Sequence, residues 1–205
     1  MAPAHPGLGR LARRNRGYDR LPTRVPRPVA HLGDGPETHH DKTYRGGMVA
    51  SLSIPWGSAT GDVGGYHLVW PRDLVESAES LLGVGGTDHA REILCYLMAT
   101  QLADGHWAQN QWLGGRPRWT GTQLDEVAFP VLLASRLAEA GALDGIAVQD
   151  MVRRALAFLA LNGPASDQDR WEEMGGVNAF TLATTIAALV QARPATVAPD
   201  AAQPL

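Results

Sequence analysis

The chain has 205 residues, 44% of them hydrophobic. This length is enough for one domain with a sizeable hydrophobic core and short for two domains of ordinary size. Its formal net charge of −3 is unevenly spread, because residues 1–33 hold seven arginines and a single acidic residue, Asp19. The remainder is acidic, and a surface for a phosphate backbone is therefore not predicted. We expect no nucleic-acid partner.

Cysteine and apolar content restrict the class of protein further. Cys95 is the single cysteine, so neither an internal disulfide nor a cysteine-rich zinc site is available. The start of the chain lacks the apolar segment of a secretory signal, and apolar residues nowhere run on for the roughly eighteen positions that a membrane span needs. These features predict a cytoplasmic location and no membrane partner.

The two ends of the chain differ in composition from its middle. Residues 1–36 contain six of the fourteen prolines and seven of the seventeen arginines, and residues 194–205 contain three prolines and four alanines. Such segments bury too little apolar area to offset the conformational entropy of the chain, so both are predicted to be disordered. One folded domain is then expected over residues 37–193.

Within that domain, apolar residues recur at helical spacing almost everywhere, which predicts an all-α fold of five helices. Pro71 suits the first turn of the first helix, and Thr87 is the predicted cap of the second. The third helix is expected to begin near Ala128, with Pro130 in its first turn. The fourth follows after a short connection.

The fifth helix is predicted to begin after Asn178, whose side chain suits a helix cap. Its spacing indicates a buried face made of Leu182, Ile186, Leu189 and Val190.

All six tryptophans lie between Trp56 and Trp171, and five of them stand between helices. Any one of them alone is more often a loop anchor over the core. Indoles mixed with charged and amide side chains also suit a sugar pocket, because pyranose rings stack through their C–H faces and hydrogen bond through their hydroxyl edges. Three segments carry that mixture: GYHLVWPRD at 65–73, a polar connection over 104–125, and DRWEE at 169–173.

Two carboxylate positions have both an ordinary and a chemical interpretation. Asp73 follows Arg72 in the first turn of a predicted helix, where a helix dipole favours an acidic side chain for structural reasons alone. Glu172 and Glu173 are adjacent and follow an indole, and two such carboxyls disfavour each other's ionisation, as a general acid requires. A solvated acidic pair at a helix start is the alternative for these two glutamates.

Taken together, the motifs resemble glycoside hydrolase family 15, the glucoamylases and glucodextranases, over about residues 38–193. They occur in the family's order: HDKTY at 40–44, ASLSIPWG at 50–57, GYHLVWPRD at 65–73 and RWEE at 170–173. The resemblance implies an (α/α)6 barrel, or toroid, of the six-hairpin glycosidase kind. Five helices are less than half of that barrel, so the expected fold is a partial, incomplete toroid.

The resemblance also implies which residues bind substrate. Arg72 and Asp73 would hold the outer hydroxyls of the terminal glucose, and Trp119 would stack on the sugar. The full substrate-binding set that it implies is Trp70, Arg72, Asp73, Trp119, Gln123, Asp125, Trp171 and Glu173.

For the chemistry, the resemblance implies that Glu172 is the general acid and that Asp169 assists it. Inverting hydrolysis needs a second carboxylate about 6.5–9.5 Å from the acid to activate water. In the family this base comes from a later barrel segment, so we expect it to be missing from this chain and the chain alone to be inactive. No metal or organic cofactor is expected, because protonation and base-activated water suffice.

The predicted substrate is an α-glucan or oligosaccharide that releases glucose from α-1,4 or α-1,6 bonds. Two alternatives stay open: a trehalase-like specificity on the same fold, and an inactive remnant that binds sugar. An incomplete toroid would expose apolar surface, which predicts self-association.

Overall fold

The computed structural model describes residues 40–52 and 65–192, so the predicted disordered segments 1–36 and 194–205 lie outside the described residues. Five α-helices form about half of the described part: α1 (Pro71–Gly83), α2 (Thr87–Thr100), α3 (Leu124–Glu139), α4 (Gln149–Asn162) and α5 (Ala179–Gln191). A two-stranded antiparallel sheet, β1 (Asn110–Gln111) and β2 (Pro117–Trp119), lies between α2 and α3. The all-α prediction is confirmed. Within these described ranges, no helix has the length and apolar character needed to cross a membrane.

Helix α1 begins at Pro71, as its sequence predicts, and ends at Gly83. Pro71 occupies the first turn, where its missing N–H would have had no helical partner. At the other end, Gly85 adopts a φ of 89° and the N–H of Gly86 donates to the carbonyl of Leu81 at 2.8 Å. The prediction that Thr87 caps α2 is wrong, because the chain turns at these glycines and Gly86 takes the cap position, leaving Thr87 inside the helix.

Helix α3 is the centre of the fold, since it contacts the other four helices. It begins at Leu124, and the predicted start near Ala128 is therefore wrong. Asp125 and Glu126 fall in its first turn, where the helix dipole favours them. Pro130 lies inside the helix rather than in its first turn and removes only the bond to the carbonyl four residues earlier.

Helix α5 packs against α3 through a different face from the predicted one, and of the predicted set only Leu182 is half-buried. Its buried residues are small: Thr181, Thr185 and Ala188. The larger residues of the predicted face point outward instead, with Ile186, Leu189 and Val190 being 51%, 46% and 76% exposed. Small side chains let two helices approach closely, which explains why the bulkier stripe is excluded from the α3 contact. The Asn178 cap is confirmed: its Oδ1 accepts the N–H groups of Phe180 and Thr181.

The connections between helices are held in place by main-chain bonds. Val69 and Gln111 exchange two hydrogen bonds, of 2.8 and 3.0 Å, which join the connection before α1 to strand β1. In the same region the N–H of Ala50 donates to the carbonyl of Leu68 at 2.9 Å. Trp107 is a loop anchor, 1% exposed, and its indole N–H donates to the carbonyl of Leu97. The polar connections are thus fixed in position.

Candidate active site

Trp70 joins the three sugar-pocket segments predicted from the sequence. It lies at the cap position of α1, is 5% exposed, and donates its indole N–H to Oε1 of Glu172 at 3.2 Å. The ring of Trp119, on β2, meets it edge to face, with 6.1 Å between ring centroids and 74° between planes. Tyr66 lies on another side of the indole, with a centroid separation of 5.7 Å. One indole therefore contacts residues of all three segments.

The main chain at Glu172 has an unusual conformation. Its φ is 66°, which makes it the only positive-φ residue other than glycine in the described part of the chain. This left-handed conformation costs a side-chain-bearing residue about 1–2 kcal/mol. The N–H of Glu172 donates to the carbonyl of Asp169 at 2.9 Å, so a tight turn holds the strained residue. Strain of this kind is often found at functional sites.

Asp169 organises that turn. Its Oδ1 accepts the N–H groups of Trp171 and Glu173, at 3.0 and 3.1 Å. The pKa of Asp169 is lowered, chiefly by the N–H of Glu173. The observed contacts of its carboxylate are therefore with the main chain beside Glu172, and they set the direction in which Glu172 leaves the turn.

Arg72 follows Trp70 by two residues, in the first turn of α1, and is 7% exposed. Its Nη1 donates to Oδ2 of Asp125 at 2.6 Å and to Oε1 of Gln123 at 2.9 Å. Its Nη2 lies 3.2 Å from Oε1 of Glu126 and donates to the main-chain carbonyl of Arg170 at 3.3 Å. The guanidinium therefore joins α1 to the start of α3 and to the segment that carries Glu172.

The ionisation of this cluster depends on burial as well as on charge. Burial alone would lower the pKa of Arg72, but the electrostatic attraction of Glu126 and Asp125 outweighs burial, so the pKa of Arg72 is raised. Glu126 is fully buried, and desolvation raises its pKa well above the usual 4.5 despite the opposing attraction of Arg72. Asp73, Asp125 and Glu172 raise that pKa further by repulsion. Burial therefore shifts the ionisation of Glu126 toward its neutral form, beside the Arg72–Asp125 pair.

Glu126 is a site residue that the sequence analysis does not single out. The available signal was an acidic pair, Asp125 and Glu126, ahead of the apolar run of α3, and it has the ordinary explanation of a helix first turn.

Arg170 is a second residue near the site that the sequence analysis does not name as a candidate. Its guanidinium lies over the rings of Trp171 and Phe180, 4.9 and 4.5 Å from their centroids.

The remaining predicted residues lie toward solvent. Asp73 is exposed as a whole residue, yet its carboxyl is crowded enough that desolvation raises its pKa, against the attraction of Arg72. Trp171 is 70% exposed, and Glu173 is exposed as well. The structure thus joins Trp70 to Trp119 and Glu172, and joins the buried Arg72 to Gln123 and Asp125, whereas the other predicted residues are more exposed.

Comparisons with known proteins assign the class. The family model described as Glycosyl hydrolases family 15 matches residues 35–105 and 102–198, and the chain belongs to this family. It is 43% identical over 151 residues to a glucoamylase of Clostridium sp. (strain G0005), which covers 73% of this chain and 21% of that protein. An uncharacterized glycosyl hydrolase of Methanocaldococcus jannaschii is 31% identical over 132 residues, which cover 60% of this chain and 21% of the relative.

Among solved structures, a bacterial glucoamylase crystallised in complex with acarbose superposes with a TM-score of 0.67 and 41% identity. The match covers 75% of this chain and 22% of that one. It confirms the predicted fold class, a partial (α/α)6 barrel. The chain spans about a fifth of the length of the relatives it matches.

Proposed function

We propose that this chain forms the acid side of a glucoamylase-type pocket, in which glucose is cleaved from the end of an α-glucan with inversion. The observation that carries the proposal is the 3.2 Å hydrogen bond from Trp70 to Glu172, made between segments 102 positions apart in the chain. It joins a carboxyl to the indole of Trp70, whose ring in turn meets that of Trp119, and proton transfer to a stacked sugar needs such a neighbourhood. The glucoamylase relatives, one of them bound to acarbose, favour a carbohydrate ligand.

Glu172 is the proposed general acid. The indole N–H of Trp70 occupies Oε1, which leaves Oε2 to carry the proton that passes to the glycosidic oxygen. The turn built by Asp169 fixes the direction of that carboxyl, and this is the assisting role that we propose for Asp169. A second carboxylate would activate water on the opposite face of the sugar.

Arg72 and Asp73 divide the binding of sugar hydroxyls unequally in this proposal. Both terminal nitrogens of Arg72 already face protein acceptors. The main effect of Arg72 is therefore to fix the floor of the pocket. Only the N–H groups of Arg72 that these bonds do not use can contact the sugar directly. Asp73 is open to solvent and accepts hydroxyl donors. The exposed Trp171 and Glu173 lie at the rim, where the next sugar unit would pass.

The acid role can be tested with azide in place of the base. With maltose, azide attacks the anomeric carbon from the β face, the glycosidic C–O bond breaks, and Glu172 gives its proton to the leaving oxygen. The products are β-glucosyl azide and glucose. We expect Glu172→Gln to slow their formation by at least about 100-fold, the usual contribution of a general acid.

The rate is measured by chromatography of the azide product. Calorimetry of acarbose binding checks separately that each variant keeps its pocket. Glu79→Gln is the matched control: this partly exposed carboxylate pairs with Arg136 in the C-terminal halves of α1 and α3, away from the helix starts that carry the site, and its loss should leave the rate unchanged. A measurable azide-dependent rate that Glu172→Gln leaves unchanged would remove Glu172 from the mechanism. A product from trehalose but not from maltose or isomaltose would favour the trehalase-like alternative.

We also propose that the chain self-associates through the outward face of α5. Ile186, Leu189 and Val190 stand at i, i+3 and i+4 and form one exposed apolar stripe. Burying it against a second copy would remove that apolar surface from water. Ile186→Glu is expected to shift the sedimentation coefficient toward that of a monomer, whereas Val84→Glu, at a 42% exposed position between α1 and α2, should not. A concentration-independent monomer for the unsubstituted chain would refute this proposal.

A further inference from the structure

Three side chains on the outer side of α2 converge at a point that the sugar pocket does not use. His40, His89 and Glu92 each offer one donor atom, and these atoms lie within 4.8 Å of one another. The two imidazole rings are 4.7 Å apart between centroids, and Nδ1 of His89 lies 4.0 Å from Oε2 of Glu92. All three residues are half-buried.

The chain that carries His40 is tightly fixed against α2. Gly46 adopts a φ of 81°, and a Cβ at that position would collide with the main-chain carbonyl of Glu92. Asp41 accepts the N–H groups of Thr43 and Tyr44 through its Oδ1, at 2.8 and 2.6 Å, which closes the turn. His40 is therefore presented to α2 by main-chain packing and not by a flexible arm.

The spacing on α2 adds to this arrangement. His89 and Glu92 are three positions apart on one helix, so their side chains project from the same face. Their helix and the turn of residues 40–47 supply ligands from two directions, as a metal site needs. The donor set of two imidazole nitrogens and one carboxylate oxygen is that of open zinc sites, in which water takes the fourth position.

We propose that His40, His89 and Glu92 bind a divalent cation of the zinc class. Calcium and magnesium prefer all-oxygen ligands, which this cluster does not offer. Ligands at about 2.0–2.1 Å around tetrahedral zinc lie roughly 3.3 Å apart, so the three donors must move inward from 4.8 Å by side-chain rotation.

One neighbouring cation competes for the carboxylate. Arg45 lies 3.2 Å from Oε1 of Glu92, but its own side chain is 80% exposed. An exposed pair of this kind is weak compared with a zinc–ligand bond. Glu92 is therefore available to the metal.

A bound cation would cross-link the turn to α2. The same segment continues to Ala50 and Ser51, whose N–H groups donate to the carbonyls of Leu68 and Tyr66 in the connection that leads to Trp70. Metal binding should therefore stabilise the described fold, because a ligand that binds only the folded state raises its stability by mass action. This inference is independent of the proposed glycosidase chemistry.

Zinc binding can be measured directly on the full chain after treatment with a chelator. We use a Cys95→Ser background, because Cys95 is an exposed thiol that would bind zinc by itself. We expect one equivalent of ZnCl2 to bind in a competition titration, an increase in melting temperature with zinc but not with calcium or magnesium, and four-coordinate absorption bands with Co2+. His40→Ala and His89→Ala should each weaken zinc binding at least tenfold.

The matched control is His106→Ala, because His106 pairs with the carboxylate of Asp104 at 2.6 Å at a distance from the cluster and should not affect binding. Circular dichroism checks that each variant is folded, and Glu92→Gln provides a ligand change that is almost isosteric. Absence of saturable zinc binding by the unsubstituted cluster, or unchanged affinity in a folded His40→Ala/His89→Ala variant, would overturn the proposal.

Discussion

Replacing Arg72 with methionine is expected to lower the free energy of unfolding by about 3–5 kcal/mol. The substitution keeps the apolar length of the side chain but leaves the fully buried carboxylate of Asp125 without its cation and removes the guanidinium 3.2 Å from Glu126. An uncompensated buried charge costs far more than the pair contributes. Urea unfolding at pH 7, followed by circular dichroism, measures the difference.

Arg136→Met is the matched control for this experiment. Arg136 also contacts two carboxylates, those of Glu79 at 3.4 Å and Glu139 at 3.3 Å, but its side chain is 56% exposed. Its loss should cost less than about 1 kcal/mol. If the two arginine variants are equally stable, burial does not control the energetics of the Arg72 cluster.

A second substitution distinguishes the two carboxyls that face Arg72. Glu126→Gln is expected to cost no more than about 1 kcal/mol at pH 5, because burial favours the neutral form of Glu126 and glutamine has nearly the same shape. Asp125→Asn should cost about 1.5–3 kcal/mol, because it replaces the charged partner of a 2.6 Å hydrogen bond.

The pH dependence of Glu126→Gln follows from the raised pKa of Glu126. The folded state keeps this proton to a higher pH than the unfolded state, so its stabilising contribution is complete below about pH 4.5 and is lost as pH rises through the folded pKa. Glu126→Gln should therefore become more stable relative to the unsubstituted chain from pH 5 to pH 8. Urea unfolding across that range makes the comparison, and parallel curves would mean that Glu126 is ionised throughout.

The part of the site that could be predicted from the sequence was the part set by local chemistry. Trp70 at a helix start and Glu172 beside an indole are recognisable from their neighbours, and the family resemblance added Trp119. Their convergence depends on main-chain links such as that between Val69 and Gln111, which join segments more than forty residues apart. No local pattern contains that information.

The face of α5 was mispredicted for a related reason. Nearly every position of this helix is apolar or small, so the spacing of its large residues does not decide which side is buried. The choice is made by α3, which accepts Thr181, Thr185 and Ala188 at close range and leaves Ile186 outside. A helix with apolar residues all round needs its neighbour to be known before its buried face can be predicted.

Glu126 and the cluster of His40, His89 and Glu92 were missed because their significance comes from burial and from distant neighbours. An acidic pair at a helix start has an ordinary explanation until Arg72 is seen between the two carboxyls. Likewise, His40 and His89 are separated by almost fifty residues and meet only because Gly46 permits close contact with α2.

Because Glu172 is the proposed general acid, its φ of 66° implies that folding and the proposed chemistry favour different amino acids at this position. Glycine adopts left-handed geometry without penalty, so a library selected only for resistance to heat should enrich Gly at codon 172. A library selected for sugar cleavage should retain Glu there at the expense of thermal tolerance. The outcome of the two selections would therefore diverge at one residue while agreeing across the buried helix faces.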